Sequence, residues 1–340
     1  MKPIIFNPAS EEEWLKLKKE DISSTEISAL YGYSPYDTEY GLYFEKRGEV
    51  EADKEKLRAN FSRAFWGKIY EERTAQVIGE LYGVTVEKMP GYIRHGSVRR
   101  MGSSFDYKIT GLVDNWKPSA AKEIEELSVL RDRFIKSGPG ILEIKIVDRN
   151  IFAKTWQDGE APIHIEFQVQ QQMEVAADYS WTAIAASVIG ERIHFILRDR
   201  DEALGAKMCK RVQKFWSLVD AGTPPKPNFA RDSEIISKLY SNQADDAALL
   251  DFGTDTKFHN LCRKALRANQ LIKKLEDIES AAKAELKTLV GENGGGASVY
   301  FKLTMSKVKE SAPTLITPAM VGTTYGGRKG YRMMKIKQLT

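Results

Sequence analysis

The sequence has 340 residues, of which 42% are hydrophobic and 29% are charged, a balance typical of a soluble globular protein. No run approaches the ~20 apolar residues that span a membrane, and the first residues lack the apolar segment of a signal peptide. Only two cysteines, Cys209 and Cys262, are present, which excludes a disulfide framework and a cysteine-based zinc site. We therefore expect a cytoplasmic protein without membrane contact.

The formal net charge of +4 is unevenly distributed. Residues 298–340 carry eight Lys and Arg against one acid, Glu310. Such a basic tail favours a polyanionic partner such as nucleic acid, although a solvated basic surface is an equally ordinary explanation.

The N-terminal part of the chain predicts two short helical segments. Residues 8–20 carry the capping-box pair Ser10 and Glu13. A hydroxyl-rich stretch follows at 22–36 and includes Thr25. It is compatible with a helix N-terminus that binds phosphate, or with ordinary N-capping by Ser24 or Thr25.

Two further helices are predicted before the first strands, over 39–47 and 61–82. Gly67 and Glu71 lie four residues apart, and therefore on one face of the second helix. Because glycine costs about 1 kcal/mol in a helix interior, it usually marks the close approach of another group. A solvated Glu71 is the alternative interpretation.

The middle of the chain predicts short strands at 84–86 and 91–93, then a strand over 107–113. A serine-rich turn ending in Asp106 precedes the third of these. Residues 115–140 form a charged insertion, which we expect to be a surface helix or hairpin.

The stretch 141–147 is the most informative in the chain. It is apolar except for Glu143 and Lys145, which share one face of a strand because side chains alternate with a period of two. A buried strand rarely presents a charged pair without a function. Together with Asp106, the pair has the composition of a metal-dependent phosphodiester nuclease, in which carboxylates hold a divalent cation.

A helix predicted over 162–176 contains four glutamines, and Gln168 and Gln172 lie on one face. Such amides can contact a metal-bound water or a phosphate, or they can form a polar solvent face.

The C-terminal half predicts strands at 181–188 and 192–198, with His194 packing in the core or at its edge, then a helix at 203–219 and a proline-rich linker at 222–227. This linker divides the chain into a core domain over 1–222 and an extension over 223–340. Within the extension we expect a helix at 233–240, a long coiled-coil-like helix at 257–290, and strands at 299–305 and 331–337.

Five blocks in this order closely resemble the YqaJ-type viral recombinase nucleases, which are lambda-exonuclease-like alkaline exonucleases of the PD-(D/E)xK, RecB-like group. The blocks are Thr25, Gly67 with Glu71, Ser104 to Asp106, Glu143 to Lys145, and Gln168 to Gln170. The resemblance covers about residues 10–200. It implies an α/β fold with a PD-(D/E)xK core, a mixed central sheet flanked by helices, followed here by a C-terminal helical and small β extension.

The resemblance also implies roles for individual residues. The implied metal ligands are Asp106, Glu143, the Ile144 carbonyl and Glu71, with Mg²⁺ as the metal and Mn²⁺ as a substitute. Lys145 would orient or deprotonate the attacking water, and Gln168 would steady the site. The implied 5′-phosphate ligands are Lys18, Thr25 and Ser104. The family usually has arginine where Lys18 stands, so the bidentate fork that suits phosphate is lost.

The implied activity is digestion of one strand of linear double-stranded DNA from 5′ to 3′, leaving a 3′ overhang for phage-type recombination by strand annealing. Expected partners are DNA ends, a single-strand annealing protein and further copies of the chain, as in related ring-shaped trimers. The alternatives are a structure-specific or restriction-like endonuclease on the same fold, a non-catalytic DNA-binding module, and a protein-binding role for residues 257–340.

Overall fold

The computed structural model describes residues 2–50, 63–89, 91–117, 124–241 and 247–305. The chain divides into two compact units, 1–239 and 240–340. The strand predicted at 331–337 and most of the basic tail lie outside the described residues. In the described part of the chain, no helix combines the length and apolarity needed to cross a membrane.

The first unit alternates helices and strands. Its strands are β1 (Ile4–Phe6), β2 (Val84–Lys88), β3 (Tyr92–Arg94), β4 (Gly102–Ser103), β5 (Tyr107–Leu112), β6 (Gly140–Val147), β7 (Trp181–Val188) and β8 (Ile193–Asp199). Its helices are α1 (Glu11–Glu20), α2 (Ile27–Leu30), α3 (Glu39–Arg47), α4 (Arg63–Tyr82), α5 (Ile124–Ser137), α6 (Arg149–Thr155), α7 (Ile163–Ala176), α8 (Glu202–Asp220) and α9 (Ser233–Leu239).

A five-stranded sheet in the order β2-β5-β6-β7-β8 forms the centre of this unit. Strands β6 and β7 run parallel, and the other neighbours run antiparallel. A separate three-stranded sheet has the order β1-β3-β4. The predicted mixed central sheet with flanking helices is therefore confirmed.

The two faces of β6 pack against different helices because its side chains alternate. Leu142 and Ile144 join a buried cluster with α4 and α5 residues that include Ile78 and Leu130. The opposite face of β6 carries Glu143, whose carboxylate contacts α7. The predicted alternation along this strand is confirmed.

Local signals explain where several elements begin and end. The Ser10 hydroxyl accepts a hydrogen bond from the Glu13 N–H at 3.2 Å, which confirms the predicted cap of α1. Gly48 ends α3 in the left-handed conformation, at φ 73°. By contrast, the N-cap residue of α2 is Glu26, so the expected capping by Ser24 or Thr25 is wrong.

Gly140 at the start of β6 is required by a close approach. A Cβ atom built there would lie 2.2 Å from the indole ring of Trp181 on the neighbouring β7. The absence of a side chain at Gly140 therefore lets β6 begin beside a fully buried tryptophan. Within the 115–140 insertion that this glycine closes, the described helix is α5.

In its described residues, the second unit contains α10 (Thr256–Val290) and a hairpin of β9 (Gly295–Ala297) and β10 (Lys302–Thr304). The helix predicted over 257–290 is confirmed. The division into a core domain over 1–222 and an extension over 223–340 stays a prediction. Residues beyond the proline-rich linker belong to the first unit: Asp232 bonds the Thr38 hydroxyl, and the Arg231 guanidinium donates to the Asp37 carbonyl.

Candidate functional site

Asp106 and Glu143 lie side by side at the point where β5 and β6 stop pairing. The antiparallel register pairs Tyr107 with Leu142, so the next opposed positions are Asp106 and Glu143. One Asp106 carboxylate oxygen accepts the Ile144 N–H at 2.9 Å. The predicted pair of acids is thus held on one edge of two neighbouring strands.

The Glu143 carboxylate is 2% exposed and surrounded by donors. Its Oε1 accepts from the Lys145 ammonium at 2.6 Å and from the Gln168 amide at 2.6 Å. Its Oε2 accepts from the Gln172 amide at 2.7 Å. Because a buried carboxylate must be paired and hydrogen-bonded, these three side chains compensate the burial of Glu143 and fix it in position.

Burial and the charge of Glu143 make ionisation of the neighbouring acids, Asp106 and Glu71, unfavourable. Burial, and secondly the charge of Glu143, raise the pKa of Asp106 well above its ordinary range. The same two causes raise the pKa of Glu71 on α4. The structure therefore brings Glu71 into the electrostatic range of the pair, and the solvated alternative for this residue is not supported.

Lys145 is a charged ammonium in this arrangement. Burial opposes its charge, but the carboxylates of Glu143 and Asp106 outweigh that effect, so the net pKa of Lys145 is raised. Lys145 also donates to the Gln168 amide oxygen at 3.0 Å. A protonated lysine is a hydrogen-bond donor and a positive charge, and it is not a ready proton acceptor.

The four glutamines of α7 are all buried, which excludes the alternative of a polar solvent face. Gln171 donates to the carbonyls of Ile22 and Gly102 at 2.9 and 3.0 Å. Gln170 donates to the Asp199 carbonyl. These two amides bond backbone carbonyls, whereas Gln168 and Gln172 bond Glu143.

Gln172 is a site residue that the sequence prediction left out. Its amide group bridges Glu143 and the Ser104 carbonyl, at 2.7 and 3.2 Å, and its own oxygen is buried without a hydrogen-bond partner. The spacing of Gln168 and Gln172 by one helical turn was the available signal, since both side chains must then reach the same neighbour.

The residues predicted to hold a 5′-phosphate occupy neighbouring segments. The Ser104 hydroxyl accepts from the Trp14 indole N–H at 2.8 Å, and the Lys18 ammonium lies 5.4 Å from the Trp14 ring centroid. Thr25 is exposed, and its hydroxyl shares a 3.1 Å hydrogen bond with Ser23. Lys18 and Ser104 are thus linked through Trp14.

Glu26, which follows Thr25 in the chain, forms a buried ion pair with Lys46. The Glu26 carboxylate accepts from the Lys46 ammonium at 2.8 Å and from the backbone N–H and hydroxyl of Ser23 at 2.8 Å. Burial opposes the charge of Glu26, but Lys46 and Lys18 outweigh it and lower the pKa of Glu26. Lys46 is thus the direct ion-pair partner of Glu26, and Lys18 adds positive charge to the same region.

The cluster of acids around Glu143 has the oxygen ligands that a hard cation such as Mg²⁺ requires. Asp106, Glu143 and Glu71 provide oxygen ligands, and burial followed by the charge of Glu143 raises the pKa values of Asp106 and Glu71. A divalent cation bound by oxygen would relieve that repulsion. The residues present therefore fit the predicted Mg²⁺, and the Ile144 carbonyl stays a predicted ligand.

His95, Glu174 and Cys209 form a second cluster, whose ligand atoms lie within 4.8 Å of one another. The Nδ1 atom of His95 accepts the backbone N–H groups of Ser97 and Val98, at 3.1 and 2.9 Å. The proton of the neutral ring is therefore on Nε2, the atom that faces Glu174 at 3.5 Å.

The remaining groups of this second cluster are also engaged. Glu174 pairs with Arg200 at 2.8 Å. Burial, followed by the charge of Glu174, raises the pKa of the Cys209 thiol to about 12, so it is not a thiolate. We interpret the cluster as a self-contained hydrogen-bonded network, in contrast to the repelling acids near Glu143.

Sequence reasoning also missed aromatic side chains beside the site. His164, at the start of α7, has a pKa lowered by burial and by the charge of Lys145. The Tyr36 ring, 80% exposed, meets the His164 ring edge-on at 5.8 Å, and Tyr33 lies 5.6 Å from Phe167. Exposed rings of this kind stack on nucleic-acid bases, but nothing in the local sequence pattern brings them to α7.

The structure does not show the close approach of another group that was expected at Gly67. A Cβ atom built at Gly67 would meet nothing within 4 Å. No described protein group therefore requires glycine at this position of α4.

We expect Gln172→Leu to lower the free energy of unfolding by about 1–3 kcal/mol, because Glu143 would lose a donor inside a buried network. Urea denaturation followed by circular dichroism measures the change. Gln213→Leu, on the exposed surface of α8, is the matched control and should change stability little. Equal effects of the two substitutions would contradict the role given to Gln172.

Part of the chain matches a known protein family. Residues 13–179 match the model of the YqaJ-like viral recombinase domain, a range that contains every predicted site residue. The uncharacterised protein YqaJ of Bacillus subtilis (strain 168) is 20% identical over 282 residues, which cover 82% of this chain and 79% of that protein.

Among solved structures, the alkaline exonuclease LHK-Exo from Laribacter hongkongensis is 18% identical and has a TM-score of 0.42. The match covers 62% of this chain and 93% of that one. The complex of LHK-Exo with dAMP is 17% identical with the same coverage and a TM-score of 0.44.

Proposed function

Because residues 13–179 belong to the YqaJ-like viral recombinase family, we propose that this protein is a divalent-metal-dependent exonuclease. Its substrate is the end of linear double-stranded DNA, and it digests one strand from 5′ to 3′. The 3′ overhang that remains is the substrate for strand annealing during recombination. The observation that carries this proposal is the buried Glu143 carboxylate, fixed beside Asp106 and hydrogen-bonded to Lys145 and Gln168.

The protein side chains have distinct roles in this proposal. Asp106, Glu143, Glu71 and the Ile144 carbonyl would hold Mg²⁺ or Mn²⁺. When bound, the cation activates water and stabilises the charge that develops on the leaving oxygen. Gln168 and Gln172 hold Glu143 in place, so that the ligand geometry is set before substrate binds.

Lys145 orients the attacking water and donates to the phosphate that is being cleaved. Its ammonium lies 2.6 Å from Glu143, so a phosphate bound at the acids in this proposal would be within its reach. Because the pKa of Lys145 is raised, we favour an orienting and electrostatic role over proton abstraction, and the proton of the water passes to solvent.

The DNA end is recognised through its 5′-phosphate by Lys18, Thr25 and Ser104. Ser104 supplies the connection between this recognition and the cut, because its carbonyl accepts from Gln172, which also bonds Glu143. The ion pair of Lys46 with Glu26 reduces the repulsion between that acid and the phosphate. The exposed Tyr33 and Tyr36 provide rings on which the terminal bases can stack.

A time course with two substrates tests the proposal. We expect 5′-phosphorylated linear duplex to lose one strand in Mg²⁺ and to stay intact with chelator. A covalently closed circle should resist digestion. Cleavage of the closed circle would favour the alternative, an endonuclease on the same fold. Binding without any metal-stimulated cleavage would favour a non-catalytic DNA-binding module.

We expect Lys18→Arg to raise the ratio of initial rates on 5′-phosphorylated and 5′-hydroxyl ends about threefold to tenfold, because a guanidinium can bind phosphate through two hydrogen bonds. Lys18→Ala should lower the same ratio. Quantifying radiolabelled product from both ends measures it. Lys16→Ala, on the exposed side of the same helix, is the control. An unchanged ratio in both Lys18 variants would remove this residue from the phosphate pocket.

A further inference from the structure

The long helix α10 has an apolar seam that the described protein leaves exposed. Apolar residues repeat with a heptad spacing over about 47 Å of helix. The seam positions are Phe258, Leu261, Ala265, Ala268, Ile272, Leu275, Glu279, Ala282, Leu286 and Leu289. Leu261, Leu275 and Leu289 are 58%, 64% and 82% exposed.

We propose that this seam is the interface of an antiparallel coiled coil with α10 of a second copy of the chain. The a and d positions of the heptad alternate along the seam, beginning with Phe258 at an a position. In an antiparallel pair, each a residue of one helix faces a d residue of the other, and the two residue numbers of every facing pair add to the same total. Full overlap of the two helices is the register in which Phe258 meets Leu289 of the second copy. This inference does not depend on the proposed nuclease activity.

Side-chain volumes select this register. Leu261 then faces Leu286, Ile272 faces Leu275, and Ala265 faces Ala282, so large residues meet large ones and alanine meets alanine. A shift by one heptad in either direction would place alanines against Leu and Ile instead. Matched volumes let the helices approach uniformly without voids.

The single acid in the seam favours the antiparallel orientation. In a parallel dimer, Glu279 would face Glu279 across the seam, and two like charges would be buried together. In the antiparallel dimer Glu279 faces Ala268, which leaves room for its side chain to turn outwards toward Lys283. Glu279 and Lys283 already form an ion pair, with the nitrogen and oxygen 2.6 Å apart.

The charges that flank the seam are complementary only in the antiparallel arrangement. Lys264 then lies beside Glu285 of the second copy, and this pair is formed twice. The apolar flanking residues Leu271 and Ile278, 60% and 65% exposed, also meet each other. In a parallel dimer Leu271 would instead face Glu276, and Ile278 would face Lys283.

Particle mass tests the proposed interface. We expect the full-length chain with Ile272→Glu and Leu275→Glu to show at least a twofold lower mass by multi-angle light scattering than the unsubstituted chain. Gln270→Glu with Ser280→Glu adds the same charge on the outer face of α10 and should leave the mass unchanged. Circular dichroism checks that the first pair retains its helix. An unchanged mass in the seam variant, or a monomeric unsubstituted chain at micromolar concentration, would overturn the proposal.

Orientation is tested by crosslinking. Cys262 of one copy and position 283 of the other are neighbours across the antiparallel seam, whereas in a parallel dimer they are separated by about 31 Å along the helix. We expect a short bis-maleimide reagent to join Cys262 to position 283 between chains in Lys283→Cys, as mapped by mass spectrometry. Lys273→Cys, which points outward, should give no such product. Crosslinks that join position 283 only to itself would exclude the antiparallel arrangement.

Discussion

Lys145→Gln is expected to lower the rate of metal-dependent DNA hydrolysis about 10²–10³-fold, which is the usual loss when a positioned donor to the transition state is removed. Glutamine can still donate a hydrogen bond toward Glu143, which accepts from Lys145 at 2.6 Å. The substitution therefore removes the positive charge with less disturbance of the buried carboxylate than alanine would cause.

The measurement is the single-turnover rate on 5′-phosphorylated linear duplex, with DNA affinity followed by fluorescence anisotropy. Lys238→Gln is the matched control, because Lys238 also pairs with a glutamate, Glu234 at 2.9 Å, but on α9. We expect the control to retain its rate and the Lys145 variant to bind the cation normally. A Lys145 variant within threefold of the unsubstituted rate would exclude Lys145 from the chemistry.

Asp106→Asn is expected to make the metal-free protein more stable at pH 8 and to abolish cation-induced stabilisation. Burial and the charge of Glu143 raise the pKa of Asp106 above its unfolded value. Folding therefore favours the protonated acid, and stability falls as pH rises from the unfolded pKa through the folded one. Asparagine cannot ionise, and its side-chain oxygen can still accept the Ile144 N–H.

Thermal unfolding at pH 5 and pH 8 measures this effect. The melting temperature should rise by about 2–4 °C for each kcal/mol of relieved repulsion, and the gain should be larger at pH 8. In the unsubstituted protein, a cation at 100 times its Kd should add about 2.7 kcal/mol, and this gain should disappear in the variant. Asp178→Asn, at an exposed position, is the control. A destabilised Asp106 variant that still responds to the cation would contradict the assignment of Asp106.

Local patterns in the sequence were sufficient to predict β6, the strand that carries Glu143 and Lys145. The period of two along β6 fixes Glu143 and Lys145 on one face, and the structure places their side chains 2.6 Å apart. Asp106 then lies opposite Glu143, because Tyr107 pairs with Leu142 and the strands are antiparallel, so the residue before Tyr107 faces the residue after Leu142. The long helix α10 was predictable for the same reason, since its heptad spacing is a local property.

Features that depend on tertiary packing were not predictable in this way. The glutamines of α7 carry no local sign that the sheet and its loops cover them, so burial could not be separated from solvation. Likewise, Glu26 becomes a buried ion-pair partner only because α3 brings Lys46 against it. His95, Glu174 and Cys209 meet from three distant segments, and no spacing in the sequence indicates that cluster.

Anomalous diffraction from crystals containing Mn²⁺ can decide whether Asp106 and Glu143 share a cation, because it locates the cation without relying on activity. We predict a peak in contact with the carboxylates of Asp106 and Glu143. A peak bound only by His95, Glu174 and Cys209, with no cation between Asp106 and Glu143, would contradict the account.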